Sequence, residues 1–148
     1  MVIGVSGRGY FELRTHAPGC WYRVKGTTYP IRDLFKRNGF VWNRDWKSWD
    51  NHLEDEVDFE HFSKVLRELI KLGKVVHRPS GEEFVFEITE KNIDLFLEYV
   101  WCNVVVKMMY RNSIKTKDKK LRKRFNELYE IYEEKAFEIA EKIREVSK

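Results

Sequence analysis

The C-terminal part of the chain restricts the fold most. Between Asp118 and Val146, apolar residues fall at Leu121, Phe125, Leu128, Tyr132, Ala136, Ile139, Ile143 and Val146, in steps of three and four with one drift between Tyr132 and Ala136. This spacing keeps a single stripe on one side of an α-helix, and its near-heptad alternation marks a coiled-coil-like seam. At ~1.5 Å per residue, roughly 29 residues extend about 43 Å, longer than a small domain is wide, so its far end projects or pairs with another chain. Upstream, Ile93, Phe96, Leu97, Val100, Trp101, Val104 and Met108 mark a second helix that is apolar nearly all round, a pattern suited to burial between layers. Two long helical patterns joined by a short polar segment predict an antiparallel helical hairpin over residues 90–148.

Residues 1–89 have another texture, rich in strand formers and turn residues. Tyr10–Thr15 and Trp21–Lys25 read as strands, with Ala17-Pro18-Gly19 as the turn between them. Pro30 opens a short helix whose apolar residues are Ile31, Leu34 and Phe35, and Asn38-Gly39 stops it. Phe40-Val41-Trp42 and Lys47-Ser48-Trp49 predict a second hairpin around Asn43–Trp46. Asp55, Glu56 and Asp58 precede a helical stripe of Phe59, Phe62, Val65, Leu66, Leu69 and Ile70, where acidic residues favour the positive end of the helix dipole. Val75–His77 and Phe84–Ile88 then form a third hairpin across Pro79-Ser80-Gly81. The expected class is α+β: antiparallel hairpins with two short helices over 1–89, then the helical hairpin.

Composition bounds the setting. No run of 18 apolar residues exists, and the most apolar stretch, Leu95–Val106, is broken by Glu98 and Asn103, so no membrane span is expected. No basic residue precedes Arg8, which argues against a secretory leader and for a cytoplasmic protein. Cys20 and Cys102 are far apart without metal-ligand spacing, so two buried reduced thiols are expected, with a single disulfide as the alternative. Charged residues make up 35% of the chain and glutamine is absent, a bias that suits a thermophile. The net charge of +4 is unevenly spread: Lys and Arg exceed Asp and Glu by nine to four in residues 1–50 and fourteen to ten in 91–148, but number five against ten in 51–90.

From Gly26 to Trp49 the chain combines tryptophans, turns and cations. Trp42 and Trp49 fall on one side of their hairpin, where Ile31, Leu34 and Phe35 receive them as core. Trp46, at the hairpin tip, either folds back as a lid over that core or stacks on a base, a contact worth about 1–3 kcal/mol in single-strand binders. Arg32, Lys36, Arg37, Arg44 and Lys47 are its basic complement, read as solvated surface or as nucleic-acid contacts. The run Gly26-Thr27-Thr28-Tyr29-Pro30-Ile31-Arg32, Leu34-Phe35-Lys36, Gly39-Phe40, Trp42-Asn43, Lys47-Ser48-Trp49 resembles the small phage- and plasmid-type tryptophan-rich domain, and is more distantly similar to the HARP domain of annealing helicases. Over residues 26–49 alone, the resemblance implies a role beside DNA replication, repair or mobile-element machinery.

A second basic region spans the turn between the two C-terminal helices. Arg111, Lys115, Lys117, Lys119, Lys120, Arg122, Lys123 and Arg124 are opposed within the segment only by Asp118. Cations at a helix N-terminus face the positive end of its dipole and cost roughly 0.3–1 kcal/mol each when exposed. Phosphate neutralisation would offset that cost, as would pairing with Glu54–Glu60 or with the acidic helix face of a second copy.

Enzyme patterns are weak. Gly4, Gly7 and Gly9 lack the dinucleotide-binding spacing, and no P-loop occurs. His52, Glu54, Asp55, Glu56, Asp58 and His61 form an acidic cluster that a metal-dependent nuclease would need, yet a helix N-terminus already accounts for its carboxylates. The expectation is a non-catalytic nucleic-acid-binding protein, DNA favoured, with no metal and no cofactor. An assembly module that dimerises through the last helix is the alternative, and a metal-dependent nuclease comes third.

Overall fold

Alternation of apolar and polar residues builds the sheet. In the computed structural model, which describes residues 9–16, 21–79 and 85–147, strand β1 (Gly9–His16) buries Phe11, Leu13 and Thr15 and turns Tyr10 and Arg14 outward. Strand β2 (Trp21–Gly26) pairs with it antiparallel, Leu13 opposite Val24. The Ala17-Pro18-Gly19 turn lies outside the described residues. At the end of β2, Gly26 has φ 115°, and a Cβ there would lie 2.0 Å from the Tyr10 carbonyl oxygen; only glycine lets the chain leave the sheet this way.

A 3-10 turn at Tyr29–Ile31 leads into α1 (Arg32–Arg37). Gly39, at φ 79°, provides the left-handed stop that Asn38-Gly39 predicts. Strands β3 (Val41–Asn43) and β4 (Ser48–His52) form the second hairpin. Helix α2 (Glu56–Leu72) starts at Asp55, whose carboxylate accepts from the Asp58 amide, while Asp58 Oδ2 accepts from the Glu54 amide at 2.8 Å. The acidic residues thus satisfy amides left open at the helix start. α2 runs 17 residues, with Gly73 as its C-cap, and carries the stripe that the sequence marks from Phe59 to Ile70. Strands β5 (Gly73–Pro79) and β6 (Phe86–Ile88) make the third hairpin, with residues 80–84 outside the described set.

The three hairpins join in one six-stranded sheet, ordered β3-β4-β2-β1-β5-β6. Every neighbouring pair is antiparallel except β1 and β5, which run parallel with Leu13 beside His77. Strands β4 and β5 therefore point the same way, and α2 carries the chain across β2 and β1 between them. Such parallel pairing needs a long crossover, which a hairpin cannot supply.

All helices that touch the sheet pack on one face. Phe35 of α1 stacks on Trp49 at 5.4 Å, Phe62 of α2 meets Tyr22 at 4.6 Å, and Phe96 of helix α3 (Ile93–Lys115) meets His77 at 4.9 Å. Helix α4 (Lys119–Val146) packs along α3 in the opposite direction: Asn92, just before α3, donates to Ser147 Oγ at 2.8 Å, just after α4. One core cluster runs from the sheet through α2 and α3 to Ala136, Ile139 and Ile143 of α4. Along α4 the seam opens toward the α3–α4 turn, where Leu121 is 49% exposed against 3% for Ile139; the projecting end of the long helix is this basic tip. Cys102 is free and buried in α3, and burial raises its thiol pKa; Cys20 lies outside the described residues. Among the described residues no helix is long and apolar enough to cross a membrane.

Candidate nucleic-acid interface

Strand parity assigns the outward residues to the other face of the sheet, on which, among the described residues, no helix packs. Cross-strand register sets Asp50, Arg23, Arg14 and Arg78 in one row across β4, β2, β1 and β5. Like charges directly opposite one another are destabilising in a sheet, and the neighbouring carboxylates offset this. Glu12 holds Arg14 Nε at 2.7 Å and Arg78 Nε at 3.0 Å, one with each oxygen. Asp50 lies 3.4 Å from Arg23 Nε, long for a hydrogen bond, and its oxygens also accept from Asn43 Nδ2 and Ser48 Oγ.

Arg23 is only 5% exposed although it belongs to this open face. Two indoles cover it: its guanidinium lies 4.8 Å from the Trp21 ring centre and 4.4 Å from that of Trp46. Trp21 in turn stacks on His52 at 4.7 Å with 20° between the planes. The result is a continuous stack, His52–Trp21–Arg23–Trp46, spread over two strands of the sheet and the β3–β4 turn. The β3–β4 turn fixes its last member, because Asn43 Oδ1 accepts from the amides of Asp45 and Trp46 at 3.0 and 3.1 Å. Trp46 does fold back, but over Arg23 rather than over the aliphatic core, and it stays 57% exposed. Beside it, an open groove of about 1070 Å³ at the β3 edge is lined by Trp21, Trp42, Asn43, Arg44, Asp50 and His52 among others.

The remaining expected site residues divide. Trp49 is core, whereas Trp42 packs on it at 5.3 Å yet stays 42% exposed at the sheet edge. Arg44 and Lys47 flank Trp46 and are exposed. Arg32 folds onto Tyr29, 4.2 Å from its ring centre, and donates to the Tyr29 carbonyl. Lys36 and Arg37 project from α1 on the helix-covered side, where Arg37 shares a groove with Lys64, Arg67 and Lys71.

At the basic tip, Arg111 differs from its neighbours. Glu54 receives Arg111 Nη1 at 2.7 Å and Lys107 Nζ at 2.9 Å, and the Glu54 carbonyl accepts a further bond from Arg111 Nη2. The Lys107 hydrogen bond, helped by the Lys107 and Arg111 charges, holds the Glu54 carboxyl below its ordinary pKa. This clamp ties the C-terminal part of α3 to the chain two residues beyond His52. Arg122 donates to the Thr116 carbonyl and Arg124 lies 3.6 Å from Glu127. Lys115, Lys117, Lys119, Lys120 and Lys123 are exposed, and no carboxylate among the described residues lies within ion-pair distance of them. Asp118 caps α4 through the amides of Lys120 and Leu121, and the first turn itself carries no acidic residue.

The acidic cluster at 52–61 is engaged in these structural roles: Glu54 in the clamp, Asp55 and Asp58 in capping. Among the described residues no group of three or more His, Cys, Asp or Glu side chains is disposed to hold a metal ion.

Arg14, Arg23, Arg78, Trp21 and His52 are absent from the sequence-based site. Outward parity of β1 and β2 is a signal for the first two, but Arg78 joins them only through the parallel β1–β5 pairing. Comparison with known protein families, with curated proteins and with solved structures finds no match to this chain.

Proposed function

We propose that the chain is a non-catalytic, cytoplasmic nucleic-acid-binding protein, with DNA the favoured ligand, serving a thermophile or its mobile element. The observation that carries this reading is the tip: five exposed lysines, Lys115, Lys117, Lys119, Lys120 and Lys123, without carboxylate partners among the described residues. Two of them sit in the first turn of α4, where each costs about 0.3–1 kcal/mol against the helix dipole. A polyanion removes that repulsion and releases counterions on binding. The clamp at Glu54 makes Arg111 an anchor of the tip rather than a phosphate contact. The open-face arginines and the likeness of residues 26–49 to phage- and plasmid-type domains support the same reading.

The test is fluorescence anisotropy of a labelled oligonucleotide as salt rises from about 50 to 200 mM. If the five lysines each neutralise one phosphate, log K falls against log salt with a slope of about −3.5 on a single strand or −4.5 on a duplex. Absence of binding at low salt, or affinity indifferent to salt, refutes the proposal.

A second reading, assembly through α4, is favoured by Ile131 and Phe137, which are 53% and 71% exposed on that helix. Light scattering distinguishes the two. A dimer that Phe137→Glu converts to monomer supports assembly, and a monomeric wild-type chain at high concentration refutes it.

A further inference from the structure

We infer that the open face of the sheet is a binding site for unpaired bases of a single nucleic-acid strand, with the exposed side of the Trp46 indole as its stacking platform. The inference rests on the nucleic-acid reading above and narrows its ligand.

The stack His52–Trp21–Arg23–Trp46 stops at a ring that has one side on a guanidinium and is 57% exposed. A base laid on the free side extends the same stack by one member. The Arg23 charge beneath the indole adds a cation–π contact that holds the platform in place. The platform is also preorganised: Asn43 Oδ1 fixes the Asp45 and Trp46 amides, so little ordering entropy is lost on binding.

A duplex cannot use this surface. Its bases are already stacked and show only their edges, deep in grooves that a broad sheet face does not enter. Splayed bases of a single strand present their π-faces, which aromatic platforms take without regard to sequence. Phosphates find partners alongside. Arg14 and Arg78 meet Glu12 through Nε, and their Nη groups have no acceptor among the described residues. Their side chains are 44% and 42% exposed. The row from Arg23 to Arg78 spans two strand spacings, about 10 Å, across the path of such a strand. At the β3 edge, the groove offers His52 as a polar partner for a base.

The experiment compares oligo-dT, oligo-U and a hairpin duplex, each about 16 nucleotides long, at one fixed low salt. The proteins are wild type, Trp46→Ala, Trp46→Phe and the double variant Lys119→Gln/Lys120→Gln. Trp46→Ala is expected to weaken single-strand binding roughly 5- to 150-fold and duplex binding less than about twofold. Trp46→Phe restores most of the loss, which shows that stacking rather than folding is at issue. The tighter of oligo-dT and oligo-U assigns the strand as DNA or RNA. An equal loss on single strand and duplex, or no loss on the single strand, overturns the inference while leaving the nucleic-acid reading intact, provided that the lysine variant weakens all three ligands. A wild-type protein that binds none of them overturns both.

Discussion

His77 makes the fold acid-sensitive in a calculable way. It lies on β5 at 6% exposure, between the rings of Phe86 and Phe96, with Nε2 against the Thr15 hydroxyl and Nδ1 without a hydrogen-bond partner among the described residues. Burial lowers its pKa from 6.5 to about 3. The unfolded chain therefore holds the extra proton between these values and the folded chain does not, so stability falls as pH drops through that window. The slope is about 1.4 kcal/mol per pH unit below 6.5, and from pH 7 to pH 5 the loss is about 2 kcal/mol. Urea unfolding at a slope of about 2 kcal/mol per molar shows this as a midpoint lower by about 1 M at pH 5. His77→Leu keeps an apolar side chain in the site and removes the titration, so its midpoint moves less between the two pH values by that amount. Stopping at pH 5 keeps carboxylate protonation small, and the difference between the two proteins cancels what remains. Equal losses in wild type and variant would refute the argument that a neutral, desolvated imidazole sits in this core.

Other perturbations test other joints of the structure. Phe35→Ala empties a fully buried site between Phe40 and Trp49 and should cost about 3–5 kcal/mol in urea unfolding. Gly26→Ala forces a side chain into positive φ against the Tyr10 carbonyl and should cost about 2–3 kcal/mol, with β1 amides exchanging faster. Asn92→Ala removes the bonds that tie Thr89, Glu87 and Ser147 together, and should lower stability by about 2–3 kcal/mol. Lys119→Gln/Lys120→Gln should raise stability by about 1 kcal/mol, by relieving the dipole of α4, while it makes the salt slope shallower by about 1–2. A double variant that weakens neither binding nor its salt dependence would remove the tip from the site.

Local patterns in the chain predict its local elements well. Strand-forming runs between turn residues place β1 to β4, the acidic residues at Asp55 place the start of α2, and the three-four seam places α4. Each of these signals depends on residues within a few positions of one another. The joining of three hairpins into one sheet is not local: the β1–β5 pair links residues more than sixty positions apart, and nothing in either strand's own pattern specifies the other. The candidate site is legible to the same extent. The basic tip and Trp46 announce themselves by charge and position, whereas the arginine row exists only once β1, β2 and β5 lie side by side. Arg111 reads as one more tip cation, and its bond to Glu54 forms only once α3 lies beside the connection between β4 and α2.

The central claim is that nucleic acid contacts both the α3–α4 tip and the sheet face around Trp46. Ultraviolet crosslinking of the full chain to oligo-dT, followed by mass-spectrometric mapping of the modified peptides, tests it most directly. The account predicts crosslinks on peptides containing Trp46 and on peptides from 115–124, with Trp46→Ala abolishing the first set and leaving the second. Crosslinks confined to other surfaces, or none at low salt, would contradict it.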